Sequence, residues 1–187
     1  MKKTLKTIFV LTLAISMAAF VSPVEKKEVK KSSITWLGKK VTGEHSGTIN
    51  LKSGYLQMDG DKITGGQFVM DMTSLTVTDL QGEYKGKLEG HLGSDDFFGV
   101  ANHPTATFSI AKAKKSGDTY KIAGDITIKG VTQPLTFDLH MMGSKAHAKL
   151  VIDRTKFGIT YKSGSIFDDL KDKAIYDDFE LDVNLEF

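Results

Sequence analysis

The sequence predicts an all-β protein in which about eight antiparallel strands close into a barrel, with a short helical insertion between strands. Three observations carry this expectation. Apolar and polar residues alternate with period two through most of the chain after residue 33. The links between these segments are short and rich in turn residues, so none can hold a crossover helix. Strands with one polar face must also hide the other without exposing unpaired edges, and closing the sheet does both.

Taken in chain order, "MKKTLKTIFVLTLAISMAAFVSP" has a basic start at Lys2, Lys3 and Lys6, an apolar run from Ile8 to Val21, and small residues near its end. It reads as a signal peptide over residues 1–23. The run is shorter and more polar than a spanning helix requires. The expected product is an exported protein, periplasmic or extracellular, with no stable membrane insertion after cleavage. Its removal takes three lysines from the 25 basic residues, leaving 22 against 23 acidic ones, so the formal +2 becomes −1. That balance offers no electrostatic footprint for nucleic acid. Residues 24–32, with the mixed-sign run "EKKEVKK", read as a flexible linker before a domain at 33–187. There is no cysteine, so disulfides and thiolate metal sites are excluded.

Weaker alternation covers Ile34–Val41, Thr48–Leu51, Tyr55–Met58, Thr105–Ile110 and Ala146–Ile152. In "GGQFVMDMTSL", a glycine pair opens a strand that puts Phe68, Met70 and Met72 on one face. Ile122, Gly124, Ile126 and Ile128 share a face of the next strong segment, and Leu135, Phe137, Leu139 and Met141 share one after it. Phe179, Leu181, Val183, Leu185 and Phe187 alternate with acids and Asn184 at the C-terminus. The predicted links are "KSG" after Leu51, "KKSGD" after Ala113, "GVTQP" after Lys129 and "MGSK" after Met142.

The long interruption from Leu75 to Pro104 carries the helical insertion. Leu80, Tyr84, Leu88 and Leu92 recur every four residues, a stripe weakened by Gly82, Gly86 and Gly90. In "HLGSDDFFGVANHPTATF", Ser94 is expected to cap a helix N-terminus with Asp95 and Asp96 in its first turn, and Phe97 and Phe98 to point into the barrel. Five histidines offer no His-x-His or His-Glu-x-x-His spacing, and no Gly-x-Ser-x-Gly turn exists. His140 and His147 are expected to face each other across a hairpin. No catalytic or metal residues and no cofactor are assigned; a metal-dependent enzyme is the third-ranked reading.

The chain resembles the YceI-like family of exported, lipocalin-like polyisoprenoid-binding proteins. The resemblance rests on "WLGKKVTGEHSGTINLKSG", "GGQFVMDMTSL", "KLEGHLGSDDFFGVANHPTATF", "GDITIKGVTQPLTF" and "IDRTKFGITY", in that order over nearly the whole domain. It implies an extended eight-stranded antiparallel lipocalin-like barrel around a tunnel for a long hydrophobic chain: a polyisoprenoid, an isoprenoid quinone or another lipid. The residues alone leave open whether the interior is hollow or filled. A hollow one would be lined by the inward sets above from Phe68 to Met141, with Met58, Phe97, Phe98, Phe108, Leu150, Leu181 and Val183. Arg154, the only arginine, either pairs with Asp95, Asp96 or Asp153 to tie the insertion to the barrel, or faces a polar head group at the tunnel mouth. The function expected is carriage or storage of the hydrophobic ligand without catalysis. The alternative is a filled barrel acting through its surface in the envelope or in stress. Homodimer formation is left open.

Overall fold

A computed structural model describes residues 24–187; the expected signal peptide lies outside them. Nine strands form one sheet: β1 (Glu25–Glu28), β2 (Lys31–Lys40), β3 (Gly43–Asp59), β4 (Lys62–Val77), β5 (Thr105–Ser116), β6 (Thr119–Ile128), β7 (Val131–Met142), β8 (Lys145–Asp153) and β9 (Ile175–Glu186). Every ladder is antiparallel and consecutive strands from β2 to β9 are neighbours. Pairing of β2 with β9 then closes eight of them into the expected barrel. One α-helix, α1 (Gly82–Gly93), lies between β4 and β5.

Alternation places the side chains as the sequence implies. In β6, Tyr120, Ile122, Gly124, Ile126 and Ile128 are buried, while Lys121 and Asp125 are exposed. The turn after it is tight because Lys129 and Gly130 both adopt positive φ (51° and 75°), which suits a two-residue hairpin. Strand β7 therefore starts at Val131, inside the predicted "GVTQP" link. Pro134 is tolerated there because the β7–β8 ladder begins only at Leu139, opposite Ala148.

Two other segments differ from expectation. Residues 25–32 are not linker: β1 pairs with Tyr55–Met58 of β3, and Lys31 and Ser32 pair with Glu186 and Leu185. Their side chains are solvated as the charge pattern requires, but their backbones satisfy edges of β3 and β9. The "KSG" stretch does not turn either. It bulges within the single long strand β3, where pairing with β4 shifts between Leu51 and Ser53. Gly54 is needed there for close approach, since a Cβ would lie 2.7 Å from the Phe68 ring. The Gly65–Gly66 pair likewise sits inside β4 rather than opening it.

The insertion is helical on the upstream stripe, not downstream of Ser94. Glu89 fixes α1 to the barrel by accepting from Thr76 Oγ1 (2.6 Å) and Val77 N (2.9 Å). Leu92 is buried, whereas Tyr84 is exposed. Ser94 is the C-cap: its hydroxyl donates to the His91 carbonyl (2.7 Å), one of those a helix end leaves unpaired. Asp95 and Asp96 then lie in turns rather than in a helix. The Asp95 carbonyl accepts from Lys129 Nζ (2.7 Å).

The barrel wall also depends on a glycine on its inner face. A Cβ on Gly124 would lie 2.2 Å from the Ser109 carbonyl oxygen and 2.8 Å from the Phe108 ring. Gly124→Ala is therefore expected to destabilise the fold by about 1–3 kcal/mol through overpacking. Urea unfolding of the two proteins measures it, and an unchanged midpoint would refute the close approach.

A candidate hydrophobic ligand site inside the barrel

The upper part of the barrel encloses a cavity of about 230 Å³. A water needs roughly 10–15 Å³ by the same measure, so this space exceeds an ordinary packing defect by more than tenfold. Its floor is the layer of Ile122, Leu139 and Leu185, beneath which the barrel is plugged by buried Leu56, Met58, Ile63 and Tyr120. Met70, Phe108, Ile126, Phe137, Leu150 and Leu181 surround its middle. The Phe108 and Phe137 rings meet at 5.3 Å. Leu88, His91, Leu92, Phe97 and Phe98 roof it from α1 and the turns after it.

Aromatic rings lie along the wall because glycines receive them. The Trp36 indole covers Gly47, where a Cβ would be only 2.6 Å from it, as Phe68 covers Gly54 and Phe108 covers Gly124. Bulk is thereby kept on the wall. Small Ala106 and Ala148 contribute further lining with little intrusion.

Of the residues expected to line a tunnel, Phe68, Met70, Met72, Phe97, Phe98, Phe108, Ile122, Ile126, Ile128, Phe137, Leu139, Leu150, Leu181 and Val183 border this cavity. Met58, Leu135 and Met141 do not. Met58 and Met141 face inward beyond the floor, beside an open groove at the other end, and Leu135 only packs against the core. Period two reports which face a side chain takes; its height along the axis decides whether that face meets space or plug. The sequence reading missed Ile34, Trp36, Ile49, Phe179 and Leu185, which continue the same alternation. It also left Leu88 and Leu92 out, although their helical stripe was visible.

The cavity reaches the surface where β2 and β9 lose regular pairing. Gly38 opposes Phe179 and Lys40 opposes Ile175, so Lys39 faces the three residues Tyr176–Asp178. Gly38, Lys39, Lys40, His45, Tyr176 and Asp178 all border the cavity there. Lys39 Nζ spans the irregularity to Glu180 Oε1 (2.6 Å), and that hydrogen bond raises the lysine pKa. His45 Nδ1 is 2.8 Å from Asp79 Oδ2.

Arg154 is 2% exposed and also borders the cavity. Neither Asp95, Asp96 nor Asp153 is its partner. Its guanidinium donates to the carbonyls of Ile159 (2.7 Å), Ile175 (3.0 Å) and Tyr176 (3.1 Å), with Asp177 Oδ1 at 3.5 Å. Asp153 instead accepts from Thr155 N and Oγ1. Arg154 thus ties the segment after β8, with buried Phe157, Ile159 and Ser163, to the irregular start of β9. Burial lowers its pKa against the opposing pull of Asp177 and Asp153. Burial also pushes the Asp177 carboxyl up, but the hydroxyls of Ser163 and Ser165 and the charge of Arg154 outweigh it and leave it below its ordinary value.

His140 and His147 are directly opposed in the β7–β8 ladder, as expected. His140 Nδ1 meets Thr119 Oγ1 (2.9 Å), and His147 Nε2 meets Asp182 Oδ1 (3.2 Å). Among the described residues, no three His, Asp or Glu side chains converge on a metal-sized site, and no helix is long and apolar enough to cross a membrane.

Residues 26–187 match the family described as the YceI-like domain. A UPF0312 protein of Pectobacterium atrosepticum and Protein YceI of Escherichia coli O157:H7 are each 45% identical over 53 residues, a stretch that is only 28% of this chain and 28% of either relative. Among solved structures, Burkholderia cenocepacia BcnA superposes with a TM-score of 0.66 at 20% identity, covering 82% of this chain and 94% of its own. A polyisoprenoid binding domain from Saccharophagus degradans, implicated in plant cell wall breakdown, gives 0.61 at 14% identity, covering 87% and 97%. At these identities the likeness concerns the fold.

Removing Arg154 should leave the Asp177 carboxylate without its buried countercharge and three carbonyls without their donor. Arg154→Ala is expected to cost about 3–5 kcal/mol in urea unfolding. The stability that Asp177 contributes is present above its unfolded value of about 3.8 and is lost as pH falls through its lower folded value. Asp177→Asn should therefore weaken that acid-side loss, measured as unfolding midpoint against pH.

Proposed function

Since this chain belongs to the YceI-like family, we propose that its barrel carries or stores a long hydrophobic ligand, such as a polyisoprenoid, an isoprenoid quinone or another lipid chain, without catalysis. The observation that carries this reading is the cavity of about 230 Å³ with almost wholly apolar walls. It favours a carrier over a filled barrel acting only through its surface. Each methylene transferred from water to such walls contributes about 0.8 kcal/mol, so even a partly enclosed chain would bind usefully. The polyisoprenoid named for the Saccharophagus degradans domain agrees with this ligand class.

Solvent extraction of the purified protein followed by mass spectrometry identifies the ligand. Ile126→Trp then tests its place. Ile126 is buried and borders the cavity. In open space the indole fits at a cost below the roughly 1–3 kcal/mol of an overpacked core. The expected variant folds but no longer co-purifies with lipid, both measured on one sample. A folded variant retaining its full lipid complement would place the ligand elsewhere.

Export belongs to the same proposal, with residues 1–23 as its signal. The intact mass of the soluble exported protein should lack this segment. A full-length mass in the membrane fraction would make it an anchor.

A further inference from the structure

The chamber is open at one end and blind at the other. Buried Ile122, Leu139 and Leu185 close it below. The groove at the opposite end of the barrel shares no lining residue with it. Between the two stands the plug of Leu56, Met58, Ile63 and Tyr120, and the plug is fastened: the Tyr120 hydroxyl donates to the Asp61 carbonyl, and Lys115 pairs with the Asp61 carboxylate. A chain that enters at the mouth therefore does not run through the barrel. Its apolar end meets the floor, and whatever exceeds the depth of the chamber stays outside, past the charges of Lys39, Lys40 and Asp178.

That depth follows from the strand that spans it. Leu185 at the floor and Phe179, where regular pairing with β2 ends, are six positions apart on β9. Such a length of strand is about 20 Å, and inclined at about 40° to the barrel axis it rises about 15 Å. Successive carbons of an extended chain, joined by bonds of about 1.5 Å, advance about 1.3 Å each, so the chamber takes about twelve of them. We infer that the floor is a ruler: the barrel encloses the last dozen or so carbons of a single chain, and Ile122, Leu139 and Leu185 set that length. This deepens the carrier reading and rests on it. A longer ligand, a polyisoprenoid included, is held by its end and not along its whole length.

Trp36, the only tryptophan of the chain, borders the cavity, so its fluorescence reports occupancy. The test measures dissociation constants of the delipidated protein for the even-numbered saturated fatty acids from octanoate to stearate, each below its micelle concentration and all with one head group. Affinity should rise by about tenfold for each two carbons up to about dodecanoate, and by less than about twofold per step beyond it. Ile122→Ala, which lowers the floor, should move this break to a longer acid. Ala148 borders the cavity opposite Leu139, so Ala148→Leu, which raises the floor, should move it to a shorter one. Urea unfolding of each variant establishes that the titrated protein is folded. An affinity that climbs by the same factor to stearate, or a break that the folded variants leave in place, overturns the ruler and leaves the carrier reading standing. Failure of every acid to bind overturns both.

Discussion

Closure of the sheet is the constraint on which everything else depends. Strand β2, near the start of the described chain, must find β9 at its end, with Ile34 opposite Val183 and Trp36 opposite Leu181. That contact is as non-local as this chain allows, and loop-closure entropy opposes it until the intervening hairpins have formed. Once made, it gives every inward side chain a fixed address and leaves few backbone edges unpaired. The exceptions are informative. The upper halves of β7 and β8 diverge above Leu139, where Gln133 Nε2 donates to the Lys156 carbonyl (3.1 Å) across the gap. The irregularity between β2 and β9 lets the cavity reach solvent.

Closure alone does not make a hollow barrel, since a ring of about eight strands can fill its interior with side chains. Here the distribution of bulk along the axis decides. Leu56, Met58, Ile63, Tyr120 and Phe187 plug one end, and the Tyr120 hydroxyl donates to the Asp61 carbonyl there. In the upper half, glycine beneath Trp36, Phe68 and Phe108 lets three large rings lie on the wall instead of crossing the axis. A β-carbon at Gly47 or Gly124 would collide with a facing carbonyl oxygen, of Thr76 or Ser109, as well as with the ring, and at Gly54 with the ring itself. The apolar volume thus follows from where the small residues stand as much as from where the large ones do.

Alternation made the barrel and most of its lining legible before any coordinates. It succeeded best in β6, where every inward position is apolar or glycine. It failed where the backbone and the side chains obey different demands. The charged residues of β1 read as linker because composition reports side-chain solvation, while the pairing of Glu25–Glu28 with β3 belongs to the backbone. Ser94 followed by two aspartates reads as a helix start, but a serine hydroxyl can equally donate to a helix-terminal carbonyl, and the upstream stripe had already claimed the helix. Arg154 could not be resolved from sequence because its partners are three carbonyls, which leave no side-chain signature.

That arginine explains how a buried charge can border an apolar chamber without being available to a ligand. Its donors are absorbed by the carbonyls of Ile159, Ile175 and Tyr176, and Asp177 supplies the countercharge. The roof is therefore electrically closed as well as sterically closed. At the mouth, the irregularity between β2 and β9 brings Lys39, Lys40 and Asp178, charges of both signs, to the border of the cavity. One departure from regular pairing thus accompanies both the committed charge of Arg154 and the mixed charge at the opening. On the proposed carrier reading, a chain entering there runs along apolar walls to the floor of Ile122, Leu139 and Leu185, past His91 and Trp36, whose buried ring nitrogens lack hydrogen-bond partners.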